Sequence, residues 1–177
     1  NDIDLQQIQV MNTMDTLKKL ATKWRENFDI PIIAITGSNG KTSSKDLLLH
    51  ILSDDLLVHA TKGNFNTSIG LCFTIFGLQP HHNLAIFELG ASIPGEIKKL
   101  CEIACPTHGL ITNIAPAHLE GFGSIKKIAE EKGKLFHSLY DGISFVNMAD
   151  DYISKMNIKG QKITFGLTPD CDFPADI

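Results

Sequence analysis

Thr36-Gly37-Ser38-Asn39-Gly40-Lys41-Thr42 follows directly on the apolar run Pro31–Ile35. An apolar strand, a tight glycine turn and a Lys-Thr pair opening a helix together have the build of a phosphate cradle. A helix N-terminus offers unpaired N–H groups and the positive end of its dipole. Glycines let the backbone close around phosphate oxygens. The lysine adds charge, and the hydroxyl after it suits Mg²⁺. The stretch therefore implies a bound nucleoside triphosphate. It is one glycine short of the usual G-x-x-x-x-G-K-[ST] pattern, because Ile35 stands where the first glycine belongs.

Working outward, 177 residues suffice for one well-buried domain. A hydrophobic content of 43% with 20% charged residues fits an ordinary globular protein. The net charge of −4, with no long basic run, argues against a general nucleic-acid binder. It also means that phosphates must be met locally, by Lys41, N–H groups and metal. No apolar stretch reaches membrane-spanning length and no signal-peptide pattern is seen, so neither a span nor export is indicated. Cys72, Cys101, Cys105 and Cys171 lie in or beside apolar segments and read as reduced core cysteines of a cytoplasmic protein. Cys101 and Cys105 near His108 make only a weak metal pattern.

Periodicity predicts helices over 13–28, 41–53, 68–76, from Pro94 to Ala104, 124–140 and 150–156. The second would bury Leu47, Leu48, Ile51 and Leu52 on one face. Strands are expected at 31–36, 56–60, 84–89, 109–114, 143–146 and 162–165. Strands that alternate with helices and read as continuous apolar runs predict an α/β fold, with a mostly parallel sheet covered on both faces. Ligands of such sheets bind beyond the strand carboxyl ends. The phosphate loop, Glu88, the 61–67 loop and the Asn113–Gly121 loop all leave such ends.

Each candidate has a chemical reason. Glu88 ends an apolar strand, where a carboxylate is costly unless paired or metal-bound. His118 lies just past a strand end, with Glu120 as a weaker neighbour. Asn64 and Asn66 offer polar contacts, although asparagine also serves turns. Lys132 stands at i+7 from Ile125, i+4 from Ile128 and i−3 from Leu135, so it points into the apolar stripe of its helix. Lys126, Lys127, Glu130, Glu131 and Lys134 are expected to point elsewhere. An inward lysine is either a snorkelling stem or a functional group, with or without covalent modification. His50, His59, His81, His82, His108 and His137 show no ligand spacing and read as structural or exposed.

Five segments in this order resemble the Mur ligases, the ATP-dependent amide-forming enzymes of peptidoglycan assembly. They are ITGSNGKT (35–42), HATKGNFNTSIG (59–70), ELGASIPGEI (88–97), ITNIAPAHLEGFGS (111–124) and IAEEKGKLF (128–136). The GNFN loop and the AHLEGFGS stretch are most similar to the branch that adds D-alanyl-D-alanine to UDP-N-acetylmuramoyl-tripeptide. The shortened phosphate loop is the family's form. The resemblance implies a P-loop NTPase-like central domain with ATP and Mg²⁺ as cofactors. Gly37, Ser38, Asn39, Gly40, Lys41, Thr42 and Asn113 would bind nucleotide. Thr42, Glu88, His118 and a carbamylated Lys132 would hold metal, with Lys41, Glu88, His118 and Lys132 as the catalytic set. Asn64 and Asn66 would lie near the muramoyl-peptide.

Small departures are Ser43 and Ser44 after the loop, Thr67-Ser68 in the asparagine loop and Leu89 after the glutamate. The resemblance covers a central domain only. Residues 1–12 are expected to be the exit of an N-terminal domain or a linker, and 13–177 the ATP-binding domain, truncated or not at its end. Such a domain alone should bind nucleotide weakly and ligate negligibly, as a monomer without nucleic-acid partners. Other readings are a folylpolyglutamate-type or different Mur ligase, a non-catalytic nucleotide module, and a P-loop kinase or GTPase.

Overall fold

The computed structural model describes residues 7–175. The expected N-terminal tail falls partly on residues 1–6, which lie outside the described residues. In chain order the elements are α1 (Thr13–Arg25), β1 (Ile32–Thr36), α2 (Lys41–Leu52), β2 (Val58–Ala60), α3 (Ser68–Phe76), β3 (Leu84–Glu88) and α4 (Glu96–Ala104). There follow β4 (His108–Ile111), α5 (Leu119–Phe122), α6 (Ile125–His137), β5 (Ile143–Asn147), β6 (Gln161–Gly166) and β7 (Phe173–Pro174).

The seven strands form one sheet in the order β2-β3-β1-β4-β5-β6-β7, and every pairing is parallel. Alternation along β1 shows why both faces are apolar. Ile32 and Ala34 join the large core under α1, α3, α4 and α6, while Ile33 and Ile35 face the smaller cluster under α2. β1 lies between β3 and β4, so the chain leaves it in one direction and later returns on its other side. That switch of direction opens a crevice at the strand carboxyl ends. Register pairs Ile35 with Glu88 and Thr36 with Ile111, bringing the three strand ends level beside the phosphate loop. Among the described residues, no helix is long and apolar enough to cross a membrane.

Several elements differ from expectation. α1 stops at Arg25, whose buried guanidinium turns back to donate to the carbonyls of Phe28 (2.6 Å), Ala104 (3.1 Å) and Cys105 (3.2 Å). This ties the end of α1 to the end of α4. On α2, Leu48, Leu49 and Leu52 pack inward, whereas Leu47 and Ile51 are 60% and 56% exposed. The inward stripe is rotated because Lys45, 3% exposed, occupies the buried side of the first turns.

α4 begins at Glu96, after Pro94, because Gly95 takes a left-handed φ of 94° as N-cap. Residues 150–156 form turns instead of a helix: Asp150 Oδ1 accepts from Tyr152 N (2.9 Å) and Ile153 N (3.0 Å). That is the side-chain competition by which Asp favours turns over helices. α5 and β7 were not anticipated, being too short for a periodic signal.

Candidate active site

The phosphate loop is held by the strand-end loop beside it. Ser38 N donates to Asn113 O (2.9 Å), and Asn39 N to Asn113 Oδ1 (3.0 Å). Ser38 Oγ donates to Ala115 O and accepts from Ala115 N, both at 2.9 Å. Gly37, at φ 150°, passes so close to Thr112 that a Cβ would overlap its hydroxyl. Gly40 caps α2 at φ 76° with no side-chain hydrogen bond. The first N–H groups of the helix are therefore left to a ligand. Lys41 Nζ arches back to Gly37 O (2.9 Å) and Ser38 O (3.4 Å). Burial lowers its pKa, opposed by the Glu88 charge.

Glu88 is 1% exposed at the end of β3. Its Oε2 accepts from Thr42 Oγ1 and its Oε1 from Asn66 Nδ2, both at 2.8 Å. Its backbone N–H donates to Thr61 Oγ1 (3.0 Å). A buried carboxylate 2.8 Å from a hydroxyl at a helix N-terminus is a hard-oxygen pair of the kind Mg²⁺ takes. Among the described residues, no three His, Cys, Asp or Glu side chains are grouped as a metal cage. A cation here would complete its shell with phosphate and water oxygens, as Mg²⁺ prefers, so the pair fits that ion.

A cleft of about 260 Å³ adjoins this pair, lined among others by Lys41, Asn66, Ser92, Glu96, His118 and Lys132. Ser124 caps α6 as the sequence predicts, accepting from Lys127 N. Lys132, on the inner face of α6, is 3% exposed. Burial, and then the Lys41 cation, lowers its pKa to about 8, against the pull of Glu131. An amine in that range is roughly a tenth neutral near pH 7 and can act as a nucleophile. His118 faces the same cleft from a left-handed turn (φ 51°) and is exposed.

Glu131 corrects the sequence reading, which turned it outward. It is buried, accepting from Gly95 N and Ile97 N (both 2.8 Å) and pairing with Lys134. Burial alone would raise its pKa, but the hydrogen bonds from Gly95, Lys134 and Ile97 hold it below its usual value. It thereby fastens the start of α4 to the helix that carries Lys132. Glu96 Oε2 accepts from Ser92 N (2.6 Å) and Ile93 N (3.1 Å), fixing the turn that walls the cleft.

The structure thus brings Lys41, Thr42, Asn66, Glu88, His118 and Lys132 to one edge. Asn113 is present as a brace, its side-chain oxygen engaged by Asn39 N. Asn64 is exposed and does not line the cleft. Sequence reasoning missed two further braces: Asn147 Nδ2 donates to Thr112 O (2.9 Å), and Asp150 Oδ2 accepts from Ile114 N (2.7 Å). Their only signal was a position just past a strand carboxyl end. The four cysteines are free, and burial lifts the Cys101 thiol to about 11, which keeps it inert. His59 Nε2 lies 2.6 Å from Thr74 O, a structural contact.

Residues 35–173 match the family described as the Mur ligase middle domain. The UDP-N-acetylmuramoyl-tripeptide--D-alanyl-D-alanine ligase of Escherichia coli K12 is 36% identical over 179 residues, covering 98% of this chain and 40% of that protein. A crystal structure of MurF from Acinetobacter baumannii superposes with a TM-score of 0.87 at 33% identity, over 94% of this chain and 38% of that one. MurF from Thermotoga maritima, solved in complex with ADP, gives 0.81 at 32% identity over 94% and 40%. This chain therefore spans about two-fifths of the relatives it matches. Sequence match and superposed fold agree over the same stretch, and the chain belongs to the Mur ligase family, of which it carries the middle domain.

Proposed function

We propose that this domain binds ATP and Mg²⁺ for a ligase that joins D-alanyl-D-alanine to UDP-N-acetylmuramoyl-tripeptide. One observation carries the reading. The Thr42–Glu88 pair adjoins a phosphate-loop lysine, and His118 and Lys132 face that lysine across the same cleft. A P-loop module that only bound nucleotide would have no use for an inward lysine and a histidine there.

In the reaction so assigned, the peptide carboxylate attacks the γ-phosphorus of ATP. A carboxyl O–P bond forms, and the bond to the ADP oxygen breaks. The amine then attacks the acyl carbon, the C–N bond forms, and phosphate leaves with the C–O electron pair. The uncapped start of α2 and Lys41 bind and orient the phosphates. Thr42 and Glu88 would hold a Mg²⁺ ion, which when bound offsets charge on the transferring phosphoryl group. Neutral Lys132 can add CO₂ and lose a proton, turning a buried amine into a carboxylate that, with His118, would hold a second ion.

Nucleotide binding tests the domain's part in this. In the full-length natural protein, Lys41→Ala should weaken Mg·ATP binding by calorimetry roughly tenfold to a hundredfold, the range of a lost charge-assisted contact. Equal affinity in the variant would reject the phosphate assignment.

A further inference from the structure

A second hollow, of about 550 Å³, lies beside the phosphate cleft, between the Ser92–Ile93 turn and the 116–121 segment. Ser92 and His118 line both spaces, so the two adjoin. The walls are built. Gly121 packs on the Ser92 carbonyl where a Cβ would overlap it. Phe122 anchors α5 in the core, and Glu96 grips the N–H groups of Ser92 and Ile93. Pro116, Ile93 and Leu119 supply the apolar part of the hollow's lining, and Ser92, His118 and Glu120 the polar part. Its carboxylate is Glu120, for which no hydrogen bond or ion pair is found among the described residues.

We propose that this hollow receives the amine-bearing acceptor, with Glu120 as the anchor of its ammonium group. The assignment rests on reading the chain as part of a carboxylate–amine ligase. Its basis is charge and position. In the phosphate cleft the Glu88 carboxylate is already engaged by Thr42 and Asn66, and the Lys41 cation repels an ammonium. An amine approaching the acyl carbon therefore needs a counter-charge on its own side. Glu96 is already spent on two backbone N–H groups, and Glu120 is free. Pro116, Ile93 and Leu119 suit the methyl groups of a short alanyl peptide, and the polar residues beside them its amide and ammonium. One proton of the ammonium leaves to water before attack, and the next leaves as the C–N bond forms and phosphate departs.

Hydroxylamine provides the separating test, because it is neutral near pH 7 and traps an acyl phosphate as a hydroxamate without needing an ammonium anchor. In the full-length natural protein, Glu120→Gln should raise KM for the dipeptide amine at least tenfold. KM for ATP and the rate of hydroxamate formation should stay within twofold, and Glu120→Lys should exceed Glu120→Gln in its effect on the dipeptide. A dipeptide KM unchanged within twofold in both variants overturns the assignment. So does an equal fall in hydroxamate and peptide formation, which would put Glu120 in the phosphoryl step. Absence of any hydroxamate from the unaltered protein would instead strike the ligase reading itself, and this assignment with it.

Discussion

Lys132→Met should make the protein more stable and at the same time inactive. The side chain is 3% exposed on the inner face of α6, where methionine of similar length fits the apolar stripe. Burial and the Lys41 cation bring its pKa from 10.5 down to about 8. The folded protein thus releases this proton more readily than the unfolded chain. Between about pH 8 and 10.5 the unfolded chain holds the extra proton, so stability rises with pH across that window. Below it, the buried ammonium costs about 3 kcal/mol by the conversion of pKa shift to free energy. In CO₂-free buffer at pH 7, Lys132→Met should therefore gain on the order of 2 kcal/mol by denaturant unfolding, allowing for imperfect packing. The rise of stability above pH 8 should flatten. Ligation by the full-length protein should fall a thousandfold or more. Lys132→Ala should recover part of its activity with a short carboxylic acid and none with bicarbonate. Undiminished ligation in either variant would show that Lys132 is a packing residue.

Glu88→Gln should leave the fold intact and remove metal-dependent chemistry. The amide is isosteric. Its oxygen can accept from Asn66 Nδ2, and its NH₂ can donate to Thr42 Oγ1, which then acts as acceptor. No buried polar group is left unpaired, so unfolding free energy should change by only about 1 kcal/mol. The charge that would hold Mg²⁺ beside Thr42 is gone. The Mg²⁺ concentration for half-maximal ligation should rise at least tenfold, and kcat should fall by two to three orders of magnitude, the scale of a lost electrostatic contact at the reacting group. An unaltered Mg²⁺ dependence would move the metal elsewhere.

Which features were legible in the sequence follows from how far apart their partners lie. β1, the glycine turn and the start of α2 are contiguous, so local pattern suffices for the phosphate cradle. Lys132 is found by helical period alone, since its own helix supplies the apolar neighbours. The parallel sheet follows from continuous apolar strands. Glu131 escapes because it lies on the flank of the stripe, beside Leu135, and its partners Gly95 and Ile97 are 36 and 34 positions away. Asn147 and Asp150 brace the 112–115 loop across a similar gap of 35 and 36. Asn64 and Asn66 look alike in a turn, and only the approach of β3 selects Asn66. The hollow containing Glu120 depends on Gly121 meeting the Ser92 carbonyl, a contact between two loops that have no periodic pattern.

Transfer of phosphate to a carboxylate is the step proposed for this cleft. It is tested most directly by labelling the terminal carboxylate of the muramoyl-tripeptide with ¹⁸O and letting the full-length protein ligate it in unlabelled water. An acyl phosphate intermediate predicts one ¹⁸O in each phosphate released and one retained in the new amide. Phosphate free of label, from a reaction that still forms the amide, would contradict the account.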